Sequence, residues 1–249
     1  MHKKKLAGLL FPRYSRILDI VNRNALLMDW IRKYRGIRVF QDRIDYYSYI
    51  NDEVLKQRRI DYLEFGVYQG ASISHWSRIN SDPGSRFWGF DTFEGLLEDW
   101  HWAIRGLPKG HFSTLGRTPA IEDTRVQFIK GLFQETMDGF LAGYKPSGTL
   151  VINMDPDLYS STLYVLTKLD AYIARGAIVL FDEFSSVLNE FRAFDDYVKS
   201  YRRSFKPIAA VTETLDRHAI AIGADDGVIE KVLRDVVPTG GRGAASSSA

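Results

Sequence analysis

Tyr62-Leu63-Glu64-Phe65-Gly66-Val67-Tyr68-Gln69-Gly70-Ala71-Ser72 is the stretch that decides the fold. A short apolar run carries an acid near its end, then two glycines four apart, then a helix-compatible segment. This pattern is a strand feeding a helix through a tight turn, where the absence of side chains lets a ligand approach the backbone. Glycines at this spacing also serve plain packing. Glu64 tips the reading toward a ligand, because a carboxylate beside such a turn can accept hydrogen bonds from an amine or a hydroxyl.

The same texture repeats downstream. Strand-like apolar runs at 87–90, 126–129, 150–154 and 177–181 alternate with helical or loop segments. Continuous apolar strands separated by helices predict a parallel sheet covered on both faces. Two more runs, 208–211 and 218–222, have only a short turn between them around Leu215 and Asp216. They can pair only antiparallel, because a parallel crossover needs a dozen or more residues. Upstream, Ile17, Ile20, Val21, Leu27 and Ile31 recur near helical spacing, and Ile44, Tyr46, Tyr47, Ile50 and Val54 mark a second helix over about 42–57. The expected organisation is an N-terminal helical extension over 1–59, an α/β domain over 60–235, and a Gly/Ala/Ser tail over 236–249 without a core-forming pattern, read as disordered.

Composition narrows the chemistry. The 249 residues contain no cysteine, which excludes disulfides, thiolate metal sites and a cysteine nucleophile, and fits a cytoplasmic protein. A net charge of +2 argues against a dedicated nucleic-acid binder. The near balance conceals an asymmetry: residues 1–60 carry a net +8 and the remainder −6. The basic segment is a candidate for contact with a partner subunit, an anionic acceptor or a membrane surface, against the plainer reading of solvated helix faces. Lys3, Lys4 and Lys5 precede a short apolar run that Arg13 and Arg16 interrupt, too short for a signal peptide, and no stretch approaches the roughly 20 apolar residues of a bilayer span.

In open α/β sheets ligands bind at the carboxyl ends of the strands. The second strand ends at Asp91, 21 residues beyond Gly70. An acid about 20 residues after the glycine turn holds ribose hydroxyls in nucleotide-binding sheets, although it can also cap a turn. The turn lacks GxGxxG and a GKS/T signature, so a pyrophosphate or triphosphate is a poor fit. Adenosine carrying an amino acid fits better. The fourth strand ends in Asp155-Pro156-Asp157 and the fifth in Asp182-Glu183. Clustered carboxylates repel unless a cation or proton intervenes, and Mg²⁺ binds such oxygens without cysteine or histidine. Asp155, Asp182 and Glu183 form the candidate metal set, with Asp157 as the candidate cap of the next helix.

Taken together, these residues resemble the class I S-adenosylmethionine-dependent methyltransferases, and more narrowly the macrocin O-methyltransferase (TylF) family. The matching blocks are 62–70, Gly89-Phe90-Asp91-Thr92-Phe93-Glu94-Gly95-Leu96, Gly131-Leu132-Phe133-Gln134-Glu135-Thr136, Asp155-Pro156-Asp157-Leu158-Tyr159-Ser160-Ser161-Thr162 and Phe181-Asp182-Glu183-Phe184, collinear over about 60–223. The resemblance implies a Rossmann-like, seven-stranded, mostly parallel sheet with an antiparallel last strand. It implies S-adenosyl-L-methionine held by Glu64, Phe65, Gly66, Val67, Gly70, Ser72, Asp91, Thr92, Phe93, Gly131, Leu132, Phe133 and Asp155. Glu64 and Gly66 would lie at the methionine part, Asp91 at the ribose, and Leu132 or Phe133 near the adenine. It also implies a hydroxyl acceptor on a sugar, glycan or secondary metabolite, with Mg²⁺ on acids matching Asp155, Asp182 and Glu183. Glu183 departs from the Asp-Asp pair common among the antibiotic-tailoring members, a longer carboxylate that changes ligand geometry, and Leu97 stands where proline is usual.

Methyl transfer from a sulfonium is an in-line displacement, so alignment and deprotonation of the acceptor are what the protein must supply. Asp155 is the candidate base as well as a candidate ligand. His101, His111, Trp100, Trp102 and Arg105, in the long segment 95–120, are a candidate acceptor pocket, with loop packing as the alternative. His75 reads more readily as packed or at the surface and His218 as structural, while Glu190 and Arg192 are candidates for acceptor contact against the plainer reading of a solvated helix face. The competing functions are a nicotinamide-dependent oxidoreductase and a non-catalytic nucleoside-binding scaffold. The N-terminal extension is also a candidate homo-oligomer contact.

Overall fold

The computed structural model describes residues 2–102, 105–212 and 214–234. The chain opens with α1 (His2–Lys33), β1 (Arg38–Phe40) and α2 (Arg43–Tyr49), which continues as a π-helical turn through Ile50–Val54. Asp42 starts α2, its carboxylate accepting from the backbone N–H of Ile44 (2.7 Å) and Asp45 (3.1 Å). The α/β alternation follows as β2 (Ile60–Phe65), α3 (Ala71–Ile79) and β3 (Arg86–Asp91). A small hairpin, β4 (Trp100–Trp102) and β5 (Arg105–Leu107), interrupts it. Then come β6 (Val126–Lys130), α4 (Phe133–Gly143), β7 (Thr149–Met154), α5 (Tyr159–Lys168), α6 (Asp170–Ile173) and β8 (Ala177–Phe181). The chain closes with α7 (Glu190–Tyr201), β9 (Ser204–Val211), β10 (Arg217–Gly223) and α8 (Asp226–Arg234).

The main sheet runs β1-β9-β10-β8-β7-β2-β3-β6. Every pairing is parallel except those of β10, which runs antiparallel to both β8 and β9. The seven strands expected from sequence are present, including the antiparallel return. An eighth, β1, comes from the N-terminal extension and pairs with β9 in the register Arg38↔Ala209 to Phe40↔Val211. Three residues are too few to show a period, so the extension read as purely helical.

β2, β7 and β8 are buried on both faces almost throughout, which is why their sequences show apolar runs rather than alternation. On one face Ile152, Val179 and Phe181 pack under α5 and α7. On the other Tyr62, Val151 and Ile178 pack with Tyr46, Tyr47 and Trp76. The extension is thus part of the core. Ile44, expected on the apolar side of α2, is exposed, whereas Tyr46 and Tyr47 are fully buried.

α1 is anchored through Leu27 and Trp30. The Trp30 ring stacks on Phe205 (5.1 Å) and meets Phe194 and Phe184 at 5.3 and 5.5 Å. Its Nε1–H donates to His218 Nε2 at 3.2 Å, and His218 Nδ1 lies 2.9 Å from the carbonyl of Ala209. Those partners require the neutral Nδ1–H tautomer. Burial agrees, pushing His218 down to about 4. His218 is structural, as its place in a strand suggested. No described helix is long and apolar enough to cross a membrane. The tail over 236–249 lies outside the described residues.

Replacing Trp30 with alanine removes both the aromatic anchor and the donor to His218. Urea titration followed by circular dichroism should show a loss of about 3–5 kcal/mol.

Candidate functional site

Because β2, β3, β7 and β8 run parallel, the loops that follow them meet at one edge of the sheet. Gly66 stands at the crossing with φ +87°, and a Cβ there would sit 1.9 Å from the carbonyl oxygen of Asp155. Glycine is required at this position for space as well as for conformation. The crossing is fastened by Asp155 N–H to the carbonyl of Phe65 (2.9 Å) and Gly66 N–H to that of Phe90 (3.0 Å). Asp91 braces the turn. One carboxylate oxygen accepts from Val67 N–H (2.8 Å) and Tyr68 N–H (2.9 Å), and the other from Phe93 N–H (2.8 Å). A carboxylate offers about four lone-pair sites, so Asp91 keeps room for one more donor, such as a hydroxyl.

A cavity of about 240 Å³ opens above this turn. Of the residues anticipated from sequence, Gly66, Val67, Asp91 and Thr92 line one end, Leu132 and Phe133 the side, and Asp155, Asp182 and Glu183 the floor. The others stand behind the wall. Glu64 is buried under the turn, accepting from the Tyr62 hydroxyl at 2.6 Å and from Asn153 Nδ2 at 3.4 Å. Phe65 stacks on Phe90 at 4.7 Å. Gly70 precedes α3 with φ +75°, Ser72 is buried in the first turn of α3, and Phe93 is buried with φ +60°. Gly131 donates its N–H to the carbonyl of Asp91 at 3.0 Å.

Several wall residues were not anticipated. Leu96, Leu97 and Phe112 bring the long 95–120 segment over the cavity, and Tyr68 meets Phe112 edge-on at 5.4 Å. Asn189 ties the hairpin down by donating to the carbonyl of His101 at 3.1 Å. His101 and His111 themselves are exposed and do not line the cavity. The side chains of Trp102 and Arg105 lie outside the described residues. The expectation that Asp157 caps α5 is corrected. The helix begins after Leu158 with no side-chain cap, while Asp157 adopts φ +59° and faces the cavity. Glu190 lies beneath the floor, fully buried, its Oε2 accepting from Glu183 N–H at 2.9 Å. The solvated helix face expected for Glu190 is thereby corrected, because its carboxylate is taken up by the Glu183 backbone instead of by water.

The floor is electrostatically tense. Burial, then the neighbouring Asp182, Asp157, Glu190 and Glu64, push the Asp155 carboxyl well above its ordinary value. Burial, with Glu183 and Asp182 next, raises Asp157 to about 7. Burial, with Asp182 next, raises Glu183 to about 7. Burial raises Glu64 to about 8 in spite of its hydrogen bond from Tyr62. The compensating cation is Arg217, whose Nε and Nη2 hold the two oxygens of Asp182 at 2.6 and 2.9 Å. The three acids anticipated as Mg²⁺ ligands therefore share one cavity, but both oxygens of Asp182 already accept from Arg217. Among the described residues no three His, Asp or Glu side chains are placed to hold one metal ion. The floor as it stands does not fit Mg²⁺.

Comparison with known proteins bears on the fold. Residues 107–220 match the family model of macrocin-O-methyltransferase (TylF). A curated relative, the 8-demethyl-8-(2,3-dimethoxy-alpha-L-rhamnosyl)-tetracenomycin-C 4'-O-methyltransferase of Streptomyces olivaceus, is 29% identical over 175 residues, covering 62% of this chain and 63% of that protein. The chain thus spans under two thirds of that relative's length. Among solved structures, the O-methyltransferase NovP matches with a TM-score of 0.53 at 21% identity, over 72% of this chain and 78% of that one. The calicheamicin methyltransferase CalS11 matches with a TM-score of 0.52 at 22% identity, over 66% and 73%. The fold is theirs.

Asp157 and Glu183 give the site a pH signature. Their folded-state values lie above their unfolded ones, so the folded chain binds more protons. The stability this contributes is complete below about pH 4 and is lost as pH rises through about 7. Chemical denaturation between pH 5 and pH 9 should show stability falling with pH, with a shallower slope in Asp157→Asn and Glu183→Gln.

Proposed function

We propose that this chain, a relative of the macrocin O-methyltransferases with a class I methyltransferase fold, transfers the methyl group of S-adenosyl-L-methionine to a hydroxyl of a sugar, glycan or secondary metabolite. The observation that carries the reading is the Asp91-braced glycine turn opening onto a cavity floored by carboxylates. Asp91 has acceptor capacity left for a ribose hydroxyl. Leu132 and Phe133 offer an apolar wall for the adenine, and the backbone at Gly66 is bare enough for the methionine part to lie against it. A sulfonium is a cation, and a floor of acids able to ionise beside it favours it over the neutral thioether product.

In the reaction the acceptor oxygen attacks the methyl carbon, the carbon–sulfur bond breaks toward sulfur, and the hydroxyl proton leaves. Asp155 is the assigned proton acceptor. It lies at the cavity floor, and burial among other acids makes its carboxylate more basic than an ordinary aspartate. The lid residues Leu96, Leu97 and Phe112 would exclude water and hold the acceptor in line. The relative from Streptomyces olivaceus is named for a reaction on a rhamnosyl-bearing compound, which supports a sugar hydroxyl as acceptor. The apolar pair Tyr68 and Phe112 at the cavity wall suits the face of a sugar ring or an attached aglycone.

The nicotinamide reading is less favoured, because the turn offers no GxGxxG donors for a pyrophosphate. The scaffold reading leaves the carboxylate floor without a purpose. Calorimetry should show S-adenosylmethionine binding and no NAD binding; the reverse result overturns the proposal. With a glycoside acceptor, Asp155→Asn should lower kcat by about 10²–10⁴.

A further inference from the structure

Arg217 is the first residue of β10, and its position follows from topology. The parallel strands β7 and β8 end at the site edge, whereas β10 runs the other way and therefore starts there. His218 stands opposite Phe181, so the next pair outward is Arg217 against Asp182. The sheet register delivers a guanidinium to the carboxylate at the end of β8. The two side chains meet fork to fork, at 2.6 and 2.9 Å, with 26% and 10% of their surfaces exposed. Two-point contact with a planar carboxylate is the geometry for which arginine is better suited than lysine.

We propose that Arg217 is the resident cation of this site, holding Asp182 in the place of a divalent metal ion, so that the carboxylate floor works without bound Mg²⁺. The inference rests on the methyltransferase reading for what the floor does, but not for its test. Mg²⁺ requires near-octahedral oxygen ligands at about 2.0–2.1 Å and sheds water reluctantly. Both oxygens of Asp182 face a guanidinium instead, and a fixed positive charge in contact with a ligand repels a second cation at that ligand. Arg217 is in this reading a positioning residue: it fixes Asp182 and neutralises it, leaving Asp155 to face the acceptor.

The test is direct titration of Mn²⁺, read by electron paramagnetic resonance, on the full chain, Arg217→Ala, Arg217→Lys and Arg217→Ala/Asp182→Asn. The wild-type chain should leave Mn²⁺ free, and chelation with EDTA should not change methyl transfer. Arg217→Ala should gain one Mn²⁺ site, with affinity at least about tenfold above wild type, a difference of about 1.4 kcal/mol. The added Asp182→Asn should abolish the gain, and Arg217→Lys should not show it. One tight Mn²⁺ equivalent on the wild type, lost in Asp182→Asn, overturns the proposal, as does activity that EDTA removes and Mg²⁺ restores. Absence of binding in wild type and Arg217→Ala alike overturns the role given to Arg217. If Arg217→Ala does not fold, the wild-type titration and the EDTA result decide alone. S-adenosylmethionine affinity, measured on the same samples, reports separately on the methyltransferase reading.

Discussion

Glu64, Asp155, Asp157, Asp182, Glu183 and Glu190 stand close enough at one end of the sheet for each to raise or feel the charge of others. Parallel strands that end in acids force this convergence. The repulsion is then managed locally, by a different partner for each group. Arg217 takes Asp182, Tyr62 and Asn153 take Glu64, and the Glu183 amide takes one oxygen of Glu190. Asp155, Asp157 and Glu183 line the cavity, and among the described residues no side-chain hydrogen bond offsets their burial. The proton-holding acids are thereby concentrated at the cavity.

Such a floor must be rigid, because small movements of like charges at this separation change their energies steeply. Rigidity comes from the backbone crossing at Gly66 and from the N-terminal extension beneath. Tyr46 and Tyr47, on α2, are buried against the sheet, and Tyr46 lies near both Asp182 and Arg217. Trp30 clamps α1 onto Phe184, the residue after Glu183, and onto His218, the residue after Arg217. The extension therefore supports both strand ends that form the Asp182–Arg217 pair, and it adds β1 to the sheet edge. An appendage in the sequence is a buttress in the fold.

How much of this was legible depended on the range of the interaction. Strands buried on both faces declare themselves as apolar runs, so the main β-elements and the antiparallel return of β10 could be read directly. Gly66, Asp91, Asp155, Asp182 and Glu183 could be read because a strand end is a local feature and acids there are conspicuous. β1 escaped because three residues carry no period. Leu96, Leu97 and Phe112 escaped because a loop's apolar residues say nothing of what they cover. Asp157 was misread as a helix cap because Asp before a helix usually is one; its left-handed backbone turns it into the cavity instead.

Arg217 escaped for a different reason, and it qualifies the first inference drawn from charge. By net charge the chain divides into an acidic body and a basic N-terminal part. Much of the described positive charge there is engaged within the chain. Arg23 lies 3.1 Å from Asp19 and 4.0 Å from Asp196, Arg59 3.8 Å from Asp82, and Arg38 sits over the rings of Phe40 and Tyr49. The cation that bears on the proposed chemistry sits in the acidic body, at the first residue of the one reversed strand. A sum over residues weights all charges equally, whereas the field at a buried site is set by the few that the sheet register brings into contact. Sequence separation between Asp182 and Arg217 hides the pair, and only the antiparallel register of β8 and β10 makes it inevitable.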